Sequence, residues 1–206
     1  DSTHSRSMEL TGVSQWTPSP IAEPEKEAAV LAPIIERDGA YSILFTKRSE
    51  QLGDHPGQMS FPGGGHEPTD TDLKTTALRE ANEEIDLRPA EADVVGPLDD
   101  IETVTRYIVR PFVGRVPDRK YTPDEYEVAE IVRLPVAELT DHSNYESEYR
   151  DHPHYGPIRI HFFHVGGYTV WGATGRMLAQ LLELATDWEV PPEADRVVDA
   201  DADLPV

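Results

Sequence analysis

Within residues 64–87 the chain carries Arg79-Glu80-Ala81-Asn82-Glu83-Glu84, set in the middle of a helical pattern. No other stretch restricts the fold as much. Helix neighbours three and four residues apart stand roughly 5–6 Å from one another. Glu80, Glu83 and Glu84 therefore share one face, where they repel. A hard divalent cation turns that repulsion into a site, because Mg²⁺ takes oxygen ligands and keeps waters that a phosphate can displace. The plain alternative is a solvated acidic helix face. Leu78, Ala81 and Ile85 form the inward stripe of the same helix, so another layer must cover them. Thr69 or Asp70 reads as the N-cap, with acids in the first turn.

The rest of the chain supplies strands for that layer. Ala28–Ile35 and Tyr41–Lys47 read as strands joined by a turn at Arg37-Asp38-Gly39. Ser49–Gly65 reads as a long Gly/Pro-rich loop, and such loops in compact domains usually carry function. Val94–Val104 and Tyr107–Val116 form a strand pair, and Tyr126–Leu134 another strand. Pro157–Val165 and Tyr168–Trp171 form a hairpin turning at Gly166-Gly167, and Gly175–Thr186 is an amphipathic helix. Residues 1–25 read as an irregular lead-in, with 1–7 a cloning remnant, and residues 188–206 as a loose acidic tail. One domain over 26–187 follows, an α/β sandwich around a mixed sheet.

Composition excludes several functions. The 206 residues carry 39 acidic and 18 basic side chains, a formal net charge of −21. Such a surface argues against nucleic-acid or anionic-membrane binding. Lysine scarcity alongside the acid excess points to a cytosol of very high salt, where self-repulsion is screened. There is no cysteine, so disulfides, thiolate nucleophiles and Cys-zinc sites are ruled out. No apolar run is long enough to span a bilayer and no signal peptide is visible, so the expected location is cytoplasmic. A monomer and a homodimer both fit.

The helix signature resembles the Nudix box, G-x5-E-x7-R-E-U-x-E-E-x-G-U with U aliphatic. Gly65, Arg79, Glu80, Ala81, Glu83, Glu84 and Leu87 match it. Thr71 stands where the first Glu belongs, and Asp86 where the second Gly belongs. Asp70 or Asp72, flanking Thr71, is placed to supply the missing carboxylate and pair with Arg79. Asp86 is expected to strain the helix C-cap. The resemblance implies a Nudix-like α/β/α sandwich and a Mg²⁺ (or Mn²⁺) ion held by Glu80, Glu83 and Glu84. Glu80, Glu83, Arg79 and Glu127 are the implied catalytic residues. Glu127 is the candidate fourth acid, though a strand-surface role fits it as well.

A second stretch, Leu44–Gly64, is similar to the extra motif of Nudix coenzyme A diphosphatases. Thr46, Arg48, Ser49, Gly57, Phe61, Pro62, Gly63 and Gly64 match, while Gly53 stands where that motif usually has Arg. Arg48 offers a bidentate fork for a phosphate group, or in the plain reading a surface ion pair. The glycines let backbone N–H groups approach oxyanions. Arg48, Ser49, Gly57, Phe61, Gly63 and Gly64 are thus the expected substrate-binding set, with His55 a further titratable group in the loop. Residues 107–114, 126–135 and 171–174 extend the resemblance; Trp171 reads as a core residue in preference to one that stacks on adenine. The implied substrate is a small coenzyme A-like nucleotide, cleaved at its pyrophosphate to 3′,5′-ADP and (acyl-)phosphopantetheine. The competing expectations are a Nudix hydrolase of ADP-ribose, NADH or a dinucleoside polyphosphate, and a non-catalytic nucleotide sensor.

Overall fold

The computed structural model describes residues 8–21, 26–53, 56–103, 106–152 and 156–203. His55 and the first seven residues lie outside the described set. Strand β1 (Lys26–Arg37) turns back on β2 (Ala40–Arg48) through Asp38 and Gly39, at φ 51° and 79°. Two successive left-handed residues give the turn whose twist matches antiparallel strands. Ala29, Leu31 and Ile35 of β1 enter one core; Ala28, Ala32 and Ile34 enter another. A strand buried on both faces reads as an unbroken apolar run.

Strands β1 and β2 diverge beyond the Ile34–Ile43 pair, and residues 59–65 fill the gap. Strand β3 (Met59–Ser60) pairs with β2, and β4 (Gly63–Gly65) with β1. Between them the Leu31 N–H donates to the Pro62 carbonyl at 2.9 Å, and the Phe61 ring stacks on Phe45 at 5.0 Å. The expected loop is therefore partly strand. Helix α2 (Leu73–Ile85) follows, then β5 (Asp93–Pro97), β6 (Ile101–Glu102), β7 (Tyr107–Arg115) and β8 (Val128–Pro135). β7 runs parallel to β1 while β8 is antiparallel to β2, so the sheet is mixed.

Ala77, Ala81 and Ile85 of α2 pack on one face of this sheet. On the other face lies α4 (Gly172–Ala185), whose Leu178, Leu181 and Leu182 are fully buried. The α/β Nudix-like architecture expected from the sequence is the one observed. Short helix α3 (Val136–Leu139) leads into a second sheet. It is built from β9 (Tyr145–His152), β10 (Gly156–Val165), β11 (Tyr168–Val170) and β12 (Arg196–Val198).

Two expectations need correction. The lead-in is not wholly irregular: Met8, Leu10 and Val13 are buried around helix α1 (Thr11–Ser14). Nor is the segment after residue 187 a loose tail. Trp188 is 1% exposed and packs edge-on against Tyr145, while β12 pairs parallel with β9. Strand β9 is too polar to stand out in the sequence. Its buried Glu148 is held by Arg150 at 2.9 Å and Arg196 at 2.7 Å, so ion pairs replace the usual apolar alternation.

Candidate active site

Helix α2 is capped by Asp72, whose Oδ1 accepts from the Thr75 N–H at 2.7 Å, and its first turn holds no acid. The expected cap, Asp70, has another task. Its carboxylate is buried and accepts from Arg79 Nε at 2.9 Å and Nη2 at 3.0 Å. Thr76 Oγ1 adds a third bond at 2.8 Å. The Arg79 hydrogen bonds hold the Asp70 carboxyl far below the usual carboxylate range. Asp70 thus supplies the anion absent at Thr71. Arg79 also donates to the Gly65 carbonyl at 3.0 Å and Glu80 Oε1 at 3.0 Å, pinning the β4 turn to the helix.

At the other end Asp86 takes the left-handed C-cap conformation, φ 60° and ψ 32°. Asp tolerates that region where most side chains do not. Its N–H caps the Ala81 and Asn82 carbonyls, and Arg119 Nη2 donates to its carbonyl at 2.8 Å. Asp86 thus performs the glycine's task, and the expected C-cap strain is confined to this one left-handed, non-glycine residue.

Three carboxylates converge: Glu80, Glu84 and Glu127 each offer an oxygen within 4.8 Å of the others. Glu127 arrives from the loop before β8. The Asp124 N–H donates to the Glu84 carbonyl at 2.8 Å, satisfying a helix-end acceptor, and the Ser49 N–H donates to the Glu127 carbonyl at 3.0 Å. Glu84 is buried, and one of its oxygens accepts from the Gly63 N–H at 2.9 Å. Burial pushes its carboxyl up to about 8, reinforced by Glu80 and Glu127 and opposed by the Gly63 bond and the Arg48 charge. Burial, ahead of other causes, also raises Glu80 and Glu127. The register between β2 and β8 shifts at Lys47/Arg48, and such irregularities re-aim side chains next to sites.

The donor set suits a hard divalent cation. All three groups are carboxylates, and a bound cation would hold them ionised against the burial that raises them. Glu83, expected among the ligands, lies outside this trio. It is exposed, with its carboxylate 3.3 Å from Arg79 Nη1. Glu84 is buried, so these acids do not form the solvated helix face of the plain alternative.

The expected substrate-binding residues divide. Arg48 is half-buried at the end of β2, with its charge acting on Glu84 and Glu127. Gly63 and Gly64 lie against Glu84 and Glu80. Ser49 is buried, and its hydroxyl accepts from the Gln51 N–H at 3.2 Å, so it shapes the loop. Gly57 adopts φ +73° and its N–H donates to the Arg48 carbonyl at 3.0 Å. Phe61 needs correction: at 3% exposure, stacked on Phe45, it supports the loop from beneath and offers no face to a ligand. Asp124 gave no chemical signal in the sequence, because its N–H does the work and any residue but proline has one.

A Cβ on Gly64 would stand 2.6 Å from the Glu80 carboxyl carbon. Gly64→Ala is therefore expected to push Glu80 out of the trio. Activity should fall by roughly ten-fold or more, the scale for disturbing groups around a metal ligand. Paired kcat and melting measurements check this; a loss of stability with activity intact would contradict it.

A box helix laid across a mixed sheet, with a glycine turn over its acids, defines a Nudix-type fold and site. The NUDIX domain profile matches residues 25–154, and the chain belongs to the Nudix family. It is 36% identical over 160 residues to the uncharacterized Nudix hydrolase NudL of Enterobacter sp. (strain 638), covering 76% of this chain and 81% of that one. Identity to NudL of Cronobacter sakazakii (strain ATCC BAA-894) is 37% over 160 residues, with the same coverage, 76% and 81%. A MutT/nudix family protein from Enterococcus faecalis shares the fold at TM-score 0.54 and 11% identity, over 82% of this chain and 70% of that one. As a Nudix hydrolase the protein is a pyrophosphohydrolase of nucleotide derivatives, in a family that generally uses divalent metal ions. Among the described residues, no helix is long and apolar enough to cross a membrane.

Proposed function

We propose that the protein hydrolyses the pyrophosphate bond of coenzyme A or an acyl derivative, giving 3′,5′-ADP and (acyl-)phosphopantetheine. The observation that carries this reading is the seating of Arg48, Gly63 and Gly64, from the stretch resembling the coenzyme A branch, against the Glu80/Glu84/Glu127 cluster.

Glu80, Glu84 and Glu127 would hold Mg²⁺ or Mn²⁺, with Glu83 near enough along the helix to join. When bound, the ion neutralises phosphate charge and acidifies coordinated water. The chain's own groups do the rest. The Arg48 guanidinium draws the diphosphate toward a site otherwise ringed by acids. Glu127, carried on the loop that faces the two helix acids, is the group placed to take the proton of the attacking water. Water oxygen bonds to one phosphorus as the bridging P–O bond breaks, and the leaving phosphate carries the electron pair. Arg79 stays out of contact with substrate and holds Glu80 and the Gly65 turn in place.

The acid-rich, lysine-poor surface fits a high-salt cytoplasm, where added salt should preserve activity. Release of 3′,5′-ADP from coenzyme A with Mg²⁺, with Glu80→Gln as control, tests the reading. The expected result is robust release by the native chain and loss of most of it in the variant. Preference for ADP-ribose would overturn the substrate, and no cleavage of any nucleotide would make the protein a sensor.

A further inference from the structure

On the face of β2 opposite Arg48, the β2–β3 ribbon and the β10–β11 hairpin border an open cavity of about 380 Å³. Ligand pockets run from roughly 300 to 1,000 Å³, so a nucleoside fits. Lys47, Gln58, Tyr168 and Trp171 are among its walls. The mechanism above uses none of them.

Lys47 is an unusual cation in this chain. The described arginines are mostly committed to carboxylates, as Arg37 is to Asp118, Arg110 to Asp100 and Arg119 to Glu91. The Lys47 side chain has no hydrogen-bond or ion-pair partner among the described residues. Its cross-strand neighbour is Glu130, the natural partner, but that carboxylate accepts from the Tyr168 hydroxyl instead. An ammonium group is thus left to the cavity of a strongly acidic protein. Beside it stands the Trp171 ring, stacked on Phe162 with centroids 6.1 Å apart and planes 16° apart. The sequence reading favoured a core role for Trp171 over adenine stacking; it is half-buried and lines the cavity.

We propose that this cavity binds the 3′-phosphorylated adenosine of the substrate, with Lys47 on the 3′-phosphate and Trp171 against the base. The assignment rests on the coenzyme A reading of the reaction. A braced aromatic ring suits a nucleobase, and a lone ammonium suits a phosphate monoester. The pantetheine arm has neither charge nor aromatic face and gains nothing from this pair. The backbone also links the two sites. Lys47 and Arg48 are consecutive and point to opposite faces of β2. The Arg48 N–H donates to the Gln58 carbonyl at 2.9 Å, so one ribbon separates cavity from acid cluster. On this assignment one molecule straddles the end of β2, its diphosphate on the Arg48 side and its 3′-phosphate on the Lys47 side.

Adenosine 3′,5′-bisphosphate has no pyrophosphate bond, so its binding to the metal-free protein reads the cavity apart from catalysis. Calorimetry should show it binding at least ten-fold tighter than adenosine 5′-monophosphate. Lys47→Gln should erase that preference, and Lys47→Arg should restore most of it. In turnover, the preference for coenzyme A over 3′-dephospho-coenzyme A should collapse in Lys47→Gln through KM rather than kcat. Equal binding of the two nucleotides, or a preference that survives Lys47→Gln, overturns the assignment even if coenzyme A is cleaved. A Lys47-dependent preference in a protein that leaves coenzyme A intact upholds the cavity and sinks the reaction.

Discussion

Glu84→Gln is expected to cut turnover more than ~100-fold while making the metal-free protein more stable at pH 8. The loss follows because changing even outer partners of metal ligands costs about 10–100-fold, and Glu84 sits inside the carboxylate trio. The gain follows from linkage. Burial pushes the Glu84 carboxyl up to about 8 in the folded protein, well above the 4.5 of a free glutamate. Between those values the unfolded chain has released a proton that the folded chain retains. Metal-free native protein therefore loses stability as pH climbs through that window, by an amount on the order of a few kcal/mol at about 1.4 kcal/mol per pKa unit. Glutamine removes the titration and can still accept the Gly63 N–H. Melting curves across that pH range, native against variant, test this. Parallel curves would refute it. Added Mg²⁺ should flatten the native curve, since a cation holds the carboxylates ionised.

The second large effect belongs to Asp70. Asp70→Asn should destabilise the protein by roughly 3 kcal/mol, the lower end for removing one partner of a buried ion pair. Arg79 is partly exposed, with 21% of its side chain accessible, so water recovers some of the loss. Asp70 is depressed in the folded state, so its stabilisation is present above the unfolded value of 3.8 and is lost as pH falls below it. Activity should fall too, because Arg79 would no longer be anchored between Asp70, Glu80 and the Gly65 carbonyl. Thr71→Glu on the native background should do little, as the arginine fork is already filled. Urea titration with activity assays would decide; a variant as stable as the native chain would show that Asp70 is dispensable.

Those two positions also divide what the sequence shows from what only the fold decides. Apolar periodicity in α2, α4 and the β1–β2 hairpin was plain, because each buries a regular stripe. Asp70 and Asp72 were both candidates for the missing box acid, because the resemblance to the Nudix box places them beside Thr71; only the fold selects Asp70. What stayed hidden depended on pairing across the chain. Strand β9 and β12 use Glu146, Glu148, Arg150 and Arg196, charges that composition assigns to solvent until their partners are known. The split of the box glutamates was hidden as well. Helical spacing places Glu83 beside Glu80 and Glu84, but only the tertiary fold decides that Glu127 joins the latter two. Phe61 shared a motif with ligand-facing neighbours, and nothing local separates a residue beneath a loop from one upon it.

Glu84 serves twice, through its side chain toward the acids and through its carbonyl toward Asp124. The loop bearing Glu127 is consequently riveted to the very residue whose oxygen it must face. Wherever the end of α2 moves, both jaws move with it, and the gap between them acts as a fixed gauge rather than an adjustable clamp.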